Sequence, residues 1–311
     1  MAETVLAALF PGQGSQRVGM TKDLYAGSEA ARRVLDDAER ALPGLLASMW
    51  EGPAATLQLT ANQQPALVAA GAAAYAAWLE AGGPEARFAA GHSLGEFTAL
   101  VAAGTLGLAD AVRLVHRRGE AMQHAVPEGV GAMAAIVRLD GDHVERVCAE
   151  TEGVVEVANR NSPQQTVISG EADAVARASA RLSQEGGRAI ALKVSAPFHC
   201  SLMQSAADAL APLVAAVPLA PPRMGVVCNV TADLLPDAEA ARDLLVRQVT
   251  APVRWVESLE RLGDLGATRF VEFGSGTVLG GLVARTLTGA DVTAVDDVRS
   301  LHAALATRTA S

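Results

Sequence analysis

The segment of residues 87–103 restricts the possible folds of this chain more than any other. Residues 87–90 are a short apolar strand candidate, residues 96–103 have a helical composition, and Gly91-His92-Ser93-Leu94-Gly95 joins the two. Small residues two positions on either side of a serine allow a sharp, strained turn from strand to helix, and that turn exposes the hydroxyl. A helix-capping serine in a glycine-rich turn is the alternative. The pattern favours an α/β layer with Ser93 at the carboxyl end of a strand.

The flanking parts of the chain alternate in the same way. Short apolar runs that stop at breakers predict strands at 4–10, 224–230, 268–273 and 291–295. Amphipathic or alanine-rich segments predict helices at 21–41, 65–79, 110–124, 201–216, 238–249, 252–265 and 277–287. Alternating strands and helices are typical of a parallel sheet covered on both faces.

The middle of the chain follows a different order. Strands are predicted at 133–139, 154–158, 166–169 and 189–194, with helices at 142–151 and 172–185. Strand, helix, strand, strand, helix, strand is the split βαβ order of ferredoxin-like folds. We therefore predict a larger α/β domain, residues 1–126 and 196–311, with a small α+β domain inserted at 127–195.

Charge and cysteine content exclude several classes of protein. With 25 Lys and Arg against 34 Asp and Glu, the net charge is −9. The sequence has no dense run of basic residues, so nucleic-acid binding is not predicted. The three cysteines, Cys148, Cys200 and Cys228, are far apart and form no disulfide framework. The longest apolar stretch, 66–79, is too short to span a bilayer, and the amino terminus lacks a signal-peptide pattern. We expect a cytoplasmic protein without membrane attachment.

A serine nucleophile needs a base, and His199 is the best candidate among six histidines. His92 adjoins Ser93 and should point elsewhere on such a turn, and the others lie in polar helices or near the carboxyl terminus: His116, His124, His143 and His302. His199 lies where the inserted domain returns to the larger one, and clefts form at domain junctions. A partly buried structural histidine is the alternative. The adjacent Cys200 lacks the strand-to-helix turn and fits a small apolar residue.

Five motifs occur in order along the chain: FPGQGSQ (10–16), GHSLGE (91–96), RGEAM (118–122), APFH (196–199) and QVTAPVRW (248–255). Together they resemble the malonyl-CoA:acyl carrier protein transacylase family, which is related to the acyltransferase domains of fatty-acid and polyketide synthases. The similarity extends from about residue 5 to residue 305. It implies an α/β-hydrolase-like core with a parallel sheet and a ferredoxin-like insertion. It also implies malonyl-CoA as substrate and acyl carrier protein as partner. The sequence itself has no metal-ligand cluster and no dinucleotide-binding loop, and GQGSQ lacks the ending of a P-loop, so we expect no bound cofactor or metal.

The resemblance assigns the catalytic residues by matching positions. Ser93 would be the nucleophile and His199 its base, with the main-chain carbonyl of Gln248 orienting the imidazole. The backbone N–H groups of Gln13 and Leu94 would form the oxyanion hole. The reaction implied is ping-pong acyl transfer through a malonyl-serine ester.

The resemblance also assigns residues that recognise the acyl group. Arg118 would bind the malonyl carboxylate, because a planar guanidinium can grip a carboxylate with two charge-assisted hydrogen bonds. A solvated helix face is the alternative for Arg118 and its neighbour Arg117. Phe198 and Gln64 would line the acyl pocket, and two residues match a cleft-facing loop of the small domain: Asn159 and Asn161.

The chain departs from the family near its carboxyl terminus, where it has GSGTVL (274–279) in place of the usual GPGKVL. The lysine that could meet CoA phosphate or the carrier is therefore missing. Because both are anionic while the chain carries −9, a local basic rim is required. The candidates for it are Arg188, Lys193 and Arg285.

Three other functions share parts of this pattern. A serine hydrolase or thioesterase would need an acidic residue between Ser93 and His199, for which Asp142 and Asp173 could be nominated. A non-catalytic carrier-binding scaffold would keep the fold without turnover. A trans-acting acyltransferase of a polyketide synthase would use the same site residues for a different pathway.

Overall fold

The computed structural model describes residues 4–306, which form two separate β-sheets. The strands are β1 (Leu6–Phe10), β2 (Phe88–Gly91), β3 (Gly131–Val137), β4 (Val155–Ser162), β5 (Gln165–Glu171), β6 (Arg188–Ala191), β7 (Gly225–Val227), β8 (Arg269–Phe273) and β9 (Asp291–Val295).

The helices before residue 151 are α1 (Lys22–Gly27), α2 (Glu29–Ala41), α3 (Leu45–Glu51), α4 (Ala54–Leu57), α5 (Thr60–Glu80), α6 (Gly95–Ala102), α7 (Leu108–His124) and α8 (Gly141–Glu150). Those after it are α9 (Ala172–Gln184), α10 (Gln204–Ala216), α11 (Ala238–Arg247), α12 (Trp255–Asp264), α13 (Val278–Thr286) and α14 (Val298–Ala306), with a 3₁₀ turn at Ser201–Met203. None of the helices in residues 4–306 combines the length and the apolar character needed to cross a membrane.

The larger sheet is parallel throughout, in the order β7-β2-β1-β8-β9. Its central strand β1 is buried on both faces: Ala8 and Phe10 pack into one apolar cluster, and Ala7 and Leu9 into another. Because successive side chains of a strand point to opposite faces, helices must cover both sides. The predicted α/β fold with a parallel sheet is confirmed.

The smaller sheet is antiparallel, in the order β4-β5-β3-β6, and α8 and α9 share one apolar cluster with it. Its edge strand β4 is attached to the larger part of the molecule at Val253. The Val253 N–H donates to the Ala158 carbonyl at 2.8 Å, and its carbonyl accepts from the Arg160 N–H at 2.9 Å. These bonds fix one side of the small sheet beside the carboxyl edge of the large one.

Helix α5 begins at Thr60, five residues before the predicted start at Pro65. Proline has no N–H, so the carbonyl four residues earlier, that of Ala61, loses its helical partner. The His116 Nδ1 on α7 contacts this carbonyl at 2.9 Å and takes the place of the missing donor. The helix therefore continues through the proline, with α7 packed directly against it.

The other differences from the predicted elements concern short helices. Helices α3, α4 and α14 were not predicted, because seven, four and nine residues give little periodicity. The helix predicted at 21–41 is divided at Ser28, whose hydroxyl accepts from the Ala31 N–H at 3.0 Å and starts a second helix.

Candidate active site

Ser93 lies on the sharp turn between β2 and α6, at the carboxyl edge of the parallel sheet. Its φ is +50°, in the left-handed region that non-glycine residues rarely adopt. A Cβ on Gly91 would overlap the Gly95 backbone, and one on Gly95 would overlap the Phe10 carbonyl. The two glycines therefore let the turn close tightly, as the motif predicted.

The loop that follows β1 packs directly against this turn. A Cβ at Gly12 would lie 2.5 Å from the His92 carbonyl oxygen, so only glycine fits there. Within residues 4–306, the backbone N–H groups of Gln13 and Leu94 donate to no protein acceptor. Gln13 and Ser93 both line the same cleft, so unpaired donors lie on the loop and the turn that border the serine hydroxyl.

His199 contacts the Ser93 hydroxyl: its Nε2 lies 2.7 Å from Ser93 Oγ. Its Nδ1 lies 2.9 Å from the Gln248 carbonyl and 3.1 Å from that of Ala251. Carbonyls only accept hydrogen bonds, so Nδ1 carries the proton and Nε2 is the free acceptor.

The environment of His199 keeps the imidazole neutral. Burial, together with the positive charge of Arg118, lowers the pKa of His199 to about 3. A serine hydroxyl bonded to a neutral imidazole can lose its proton to that imidazole as it attacks a carbonyl carbon.

Arg118 lies directly behind the serine and is fully buried. Its guanidinium donates to Gln64 Oε1 at 2.9 Å, to Gln248 Oε1 at 2.9 Å and to Ser93 Oγ at 3.3 Å. Burial lowers its pKa to about 10, so the side chain stays charged at neutral pH. Arg117, in contrast, is exposed and pairs with Glu120 at 2.8 Å. Arg118 is therefore a buried cation that donates to three neutral side chains, and no carboxylate among residues 4–306 contacts it directly.

Three further groups complete the site and were not found by sequence reasoning: the side chains of Glu96, Asn229 and Gln248. Glu96 Oε2 accepts from Gln248 Nε2 at 2.7 Å and from the Asn229 N–H at 3.1 Å. Asn229 Oδ1 accepts from the Ser93 N–H, and its Nδ2 donates to the Gly91 carbonyl, both at 2.7 Å. These bonds hold the backbone of the turn on both sides of the serine.

A signal for these residues was present in the sequence. Glu96 is the last residue of GHSLGE, and Asn229 is a polar residue at the carboxyl end of a predicted strand. At that edge of a parallel sheet, polar residues from different strands converge. Gln248 was assigned only through its main-chain carbonyl.

The remaining histidines lie away from the serine hydroxyl. His92 Nε2 contacts Asn161 Oδ1 of the small sheet at 2.7 Å, and its ring lies edge-on to Trp255 with 5.4 Å between ring centroids. His92 thus points elsewhere, as predicted. His116 contacts α5, His143 is half-buried on α8, and His124 and His302 are exposed.

A cleft of about 490 Å³ opens between the two sheets and reaches Ser93 and His199. Phe198, Asn159 and the exposed Lys193 are among the residues that line it. Gln64 does not line this cleft; it is fully buried and contacts Arg118 from behind. Its position is that of a support for the guanidinium.

The other predicted charged residues occupy the surface. Asp142 pairs with Arg160 at 2.8 Å on the small sheet, and Asp173 lies in the first turn of α9, so neither carboxylate contacts His199. Arg188 is exposed on β6, and Arg285 on α13 donates to Gln165 at 3.3 Å. No cluster of three or more metal-binding side chains is found among residues 4–306.

A serine held against a neutral imidazole at the carboxyl edge of a parallel sheet, beside a buried arginine, defines a serine-dependent acyl-transfer enzyme. The chain belongs to the acyl transferase domain family, whose model matches residues 8–303.

Relatives are similar in sequence over nearly the whole chain. The malonyl CoA-acyl carrier protein transacylases of Escherichia coli K12 and Bacillus subtilis are 44% and 43% identical, each over 97% of this chain and over 99% and 96% of their own lengths.

Solved structures of similar proteins superpose closely. The acyl-carrier-protein S-malonyltransferase of Burkholderia pseudomallei matches with a TM-score of 0.94 at 45% identity, covering 97% of this chain and all (100%) of the other. A malonyl-transacylase in complex with a type II polyketide-synthase acyl carrier protein matches with a TM-score of 0.94 at 42% identity, covering 98% and 100%.

Proposed function

We propose that this enzyme transfers a malonyl group from CoA to the phosphopantetheine thiol of an acyl carrier protein, by a ping-pong reaction through a malonyl-serine ester. Fatty-acid synthesis is the proposed pathway, and polyketide synthesis would use the same chemistry. The names of the relatives support the substrate and the acceptor. The observation that carries the proposal is the contact of Ser93 Oγ with both His199 Nε2 and Arg118.

In the first half-reaction Ser93 Oγ attacks the thioester carbonyl while His199 Nε2 takes its proton. The unpaired N–H groups of Gln13 and Leu94 are the proposed donors to the oxyanion of the tetrahedral intermediate. When the intermediate collapses, the C–S bond breaks and CoA leaves with the proton held by His199. The carbonyls of Gln248 and Ala251 keep the imidazole oriented throughout.

Arg118 is the proposed ligand for the malonyl carboxylate. Because it is buried and positively charged, an acyl group that brings a carboxylate gains an ion pair there, which acetyl cannot form. Phe198, buried at the cleft, is the proposed wall of the acyl pocket, and Gln64 supports the arginine from behind.

In the second half-reaction the carrier thiol attacks the malonyl ester and His199 takes the thiol proton. Collapse breaks the ester C–O bond, and Ser93 Oγ recovers its proton from His199. Water competes for the same ester, so exclusion of water from the cleft decides between transfer and hydrolysis.

The architecture proposed for this reaction is an α/β-hydrolase-like core, residues 1–126 and 196–311, with a ferredoxin-like small domain at 127–195. The antiparallel order β4-β5-β3-β6 within 131–191 supports the small domain. The position of Ser93 on a turn at the carboxyl edge of a parallel sheet supports the core.

A basic rim near the cleft is the proposed docking region for the anionic CoA and carrier. Lys193 is exposed and lines the cleft, which supports its part in this rim. Arg188 on β6 and Arg285 on α13 are exposed and complete the proposed set.

A hydrolase is the rival function, and the partner of His199 argues against it. The Nδ1 of His199 contacts two carbonyls, whereas a Ser-His-Asp triad places a carboxylate there. A hydrolase of neutral esters would also have no use for a buried Arg118 beside the serine.

The test is the intact mass of the protein after brief incubation with malonyl-CoA or acetyl-CoA, for wild type and Ser93→Ala. We expect a malonyl adduct on wild type, little acetyl adduct, and neither on Ser93→Ala. Release of CoA without an adduct would favour the hydrolase. Carrier binding with neither adduct nor release would favour a non-catalytic scaffold.

A further inference from the structure

The buried carboxylate of Glu96 has no part in the reaction described above, yet it lies one side chain away from Arg118. Its exposed fraction is 1%, and that of Arg118 is 0%. The amide of Gln248 joins them, since its Oε1 accepts from the guanidinium at 2.9 Å and its Nε2 donates to Glu96 at 2.7 Å. The two opposite charges are therefore linked through a single amide.

We propose that Glu96 is a positioning residue that also sets how strongly Arg118 selects an acyl group bearing a carboxylate. This inference rests on the proposed function, in which Arg118 binds the malonyl carboxylate. While Glu96 is ionised, it balances the charge of the guanidinium. An incoming carboxylate then competes with Glu96 for one cation, so the selectivity for malonyl over acetyl is lower than an unbalanced arginine would give.

The positioning part follows from hydrogen bonds. Glu96 is the common acceptor for Gln248 Nε2 and for the Asn229 N–H, and both residues also bond the turn that carries Ser93. Removing the acceptor would leave the Asn229 N–H unpaired, and Gln248 Nε2 would keep only its bond to the Ser93 carbonyl.

The protonation state of Glu96 adds a dependence on pH. Burial raises the pKa of Glu96 to about 7, against the opposing effect of Arg118. The other titratable groups around it are Arg118 on α7, Cys228 after β7 and, beyond Ser93, His199 and His92. Burial raises the pKa of Cys228 and lowers that of His92, and the pKa of His199 lies near 3. Glu96 is therefore the member of this group that titrates near neutrality.

The direction of the effect follows from the charges. As pH falls from about 8 to about 6, Glu96 takes up a proton while an ordinary carboxylic acid with a pKa of ~4 stays ionised. Arg118 then loses its buried counter-charge, so it attracts the malonyl carboxylate more strongly, whereas acetyl has no carboxylate to attract. The ratio of kcat/KM for Ser93 acylation by malonyl-CoA to that by acetyl-CoA should rise on the order of tenfold.

The first test is that ratio in wild type and in Glu96→Gln between about pH 6 and 8. Glutamine keeps an oxygen that can accept from Gln248 and Asn229 but carries no charge. We expect Glu96→Gln to have the high ratio at every pH, above wild type at pH ~8 and equal to it near pH ~6. Glu96→Ala, which loses the acceptor as well, should lower acylation by both donors, and Glu96→Gln should restore it.

A matched control is Glu272→Gln on β8. Glu272 is also fully buried, its pKa is raised to about 7 by burial, and it accepts from the Gly280 N–H at 2.8 Å. No hydrogen bond within residues 4–306 joins it to Arg118 or Gln248, so this variant should keep the wild-type ratio and its pH profile.

The outcomes separate the two proposals. A wild-type ratio that stays flat across this pH range, with malonyl still preferred, would overturn the role of Glu96 and leave the proposed function intact. This result needs no variant, so poor folding of Glu96→Gln cannot obscure it. Absence of a malonyl adduct on wild-type Ser93 would instead overturn the proposed function itself.

Discussion

Polar side chains are buried at the carboxyl edge of the parallel sheet, whereas in the four-stranded sheet the charged ones lie on the surface. At the edge, Arg118 and Glu96 are buried, and the buried amide of Gln248 hydrogen-bonds to both of them. In the small sheet the core is apolar, and charges such as Arg181 lie outside in ion pairs with Glu150 and Glu185. Burying polar groups costs stability unless each is satisfied, so a buried network marks where position serves chemistry.

The largest effect is expected when the catalytic base at the carboxyl edge of the parallel sheet is removed. His199→Ala should lower the rate of Ser93 acylation by malonyl-CoA by roughly 10³-fold, because the hydroxyl loses its proton acceptor. Rapid-quench mass spectrometry measures this rate. His143→Ala, on a helix of the small sheet, should keep the wild-type rate, and an equal loss in both variants would contradict the distinction between the two regions.

The next largest effect is expected when the buried cation beside the serine is removed. Arg118→Ala should lower the rate of acylation by malonyl-CoA roughly 10²- to 4 × 10³-fold, since an unpaired buried carboxylate costs about 3–5 kcal/mol. Acylation by acetyl-CoA should change only a few-fold, which a competition between the two donors would measure. Arg117→Ala is the matched control, because that side chain is exposed and pairs with Glu120. Equal losses for both donors would show that Arg118 has only a structural role.

A smaller effect is expected when the apolar core of the small sheet is disturbed. Ile168 on β5 is fully buried, and Ile168→Ala should lower the free energy of unfolding by about 2–5 kcal/mol through lost burial and a cavity. Urea denaturation measures this loss. The ratio of malonyl to acetyl acylation should stay at the wild-type value, and a changed ratio would mean that the small sheet also shapes the acyl pocket.

The smallest effect concerns the surface of the small sheet. The side chain of Arg181 is 41% exposed, although it pairs with Glu150 at 2.7 Å and Glu185 at 2.9 Å. Exposed ion pairs contribute little to stability, so Arg181→Ala should lower the free energy of unfolding far less than Ile168→Ala does, as urea denaturation would show. A loss comparable to that of Ile168→Ala would show that surface charges matter as much as the core there.

Much of the fold could be predicted because its signals are local. The alternation of apolar runs and helical segments predicted every strand of both sheets, and the turn at Ser93 is visible in five consecutive residues. The predicted start of α5 was wrong because the helix can continue through Pro65 only with the help of His116. That residue lies 51 positions further along the chain.

In the candidate site, only the residues that belong to recognisable sequence motifs could be predicted. The resemblance assigned Ser93, His199 and Arg118, and the structure brings all three into contact. Glu96, Asn229 and the amide of Gln248 were missed because their hydrogen bonds join residues more than 130 positions apart. No local pattern records such pairings, since they exist only once the strands are arranged side by side.

The two edges of the small sheet are closed to further strand pairing in different ways. Val253 covers β4 with backbone hydrogen bonds, whereas β6 has no strand on its outer side within residues 4–306. An open edge is a template for aggregation, and natural proteins counter it with short strands and charged side chains. Strand β6 has only four residues, begins with Arg188 and is followed by Lys193. The cations proposed to attract an anionic carrier thus also place positive charge on the edge of the small sheet where a second copy could otherwise add a strand.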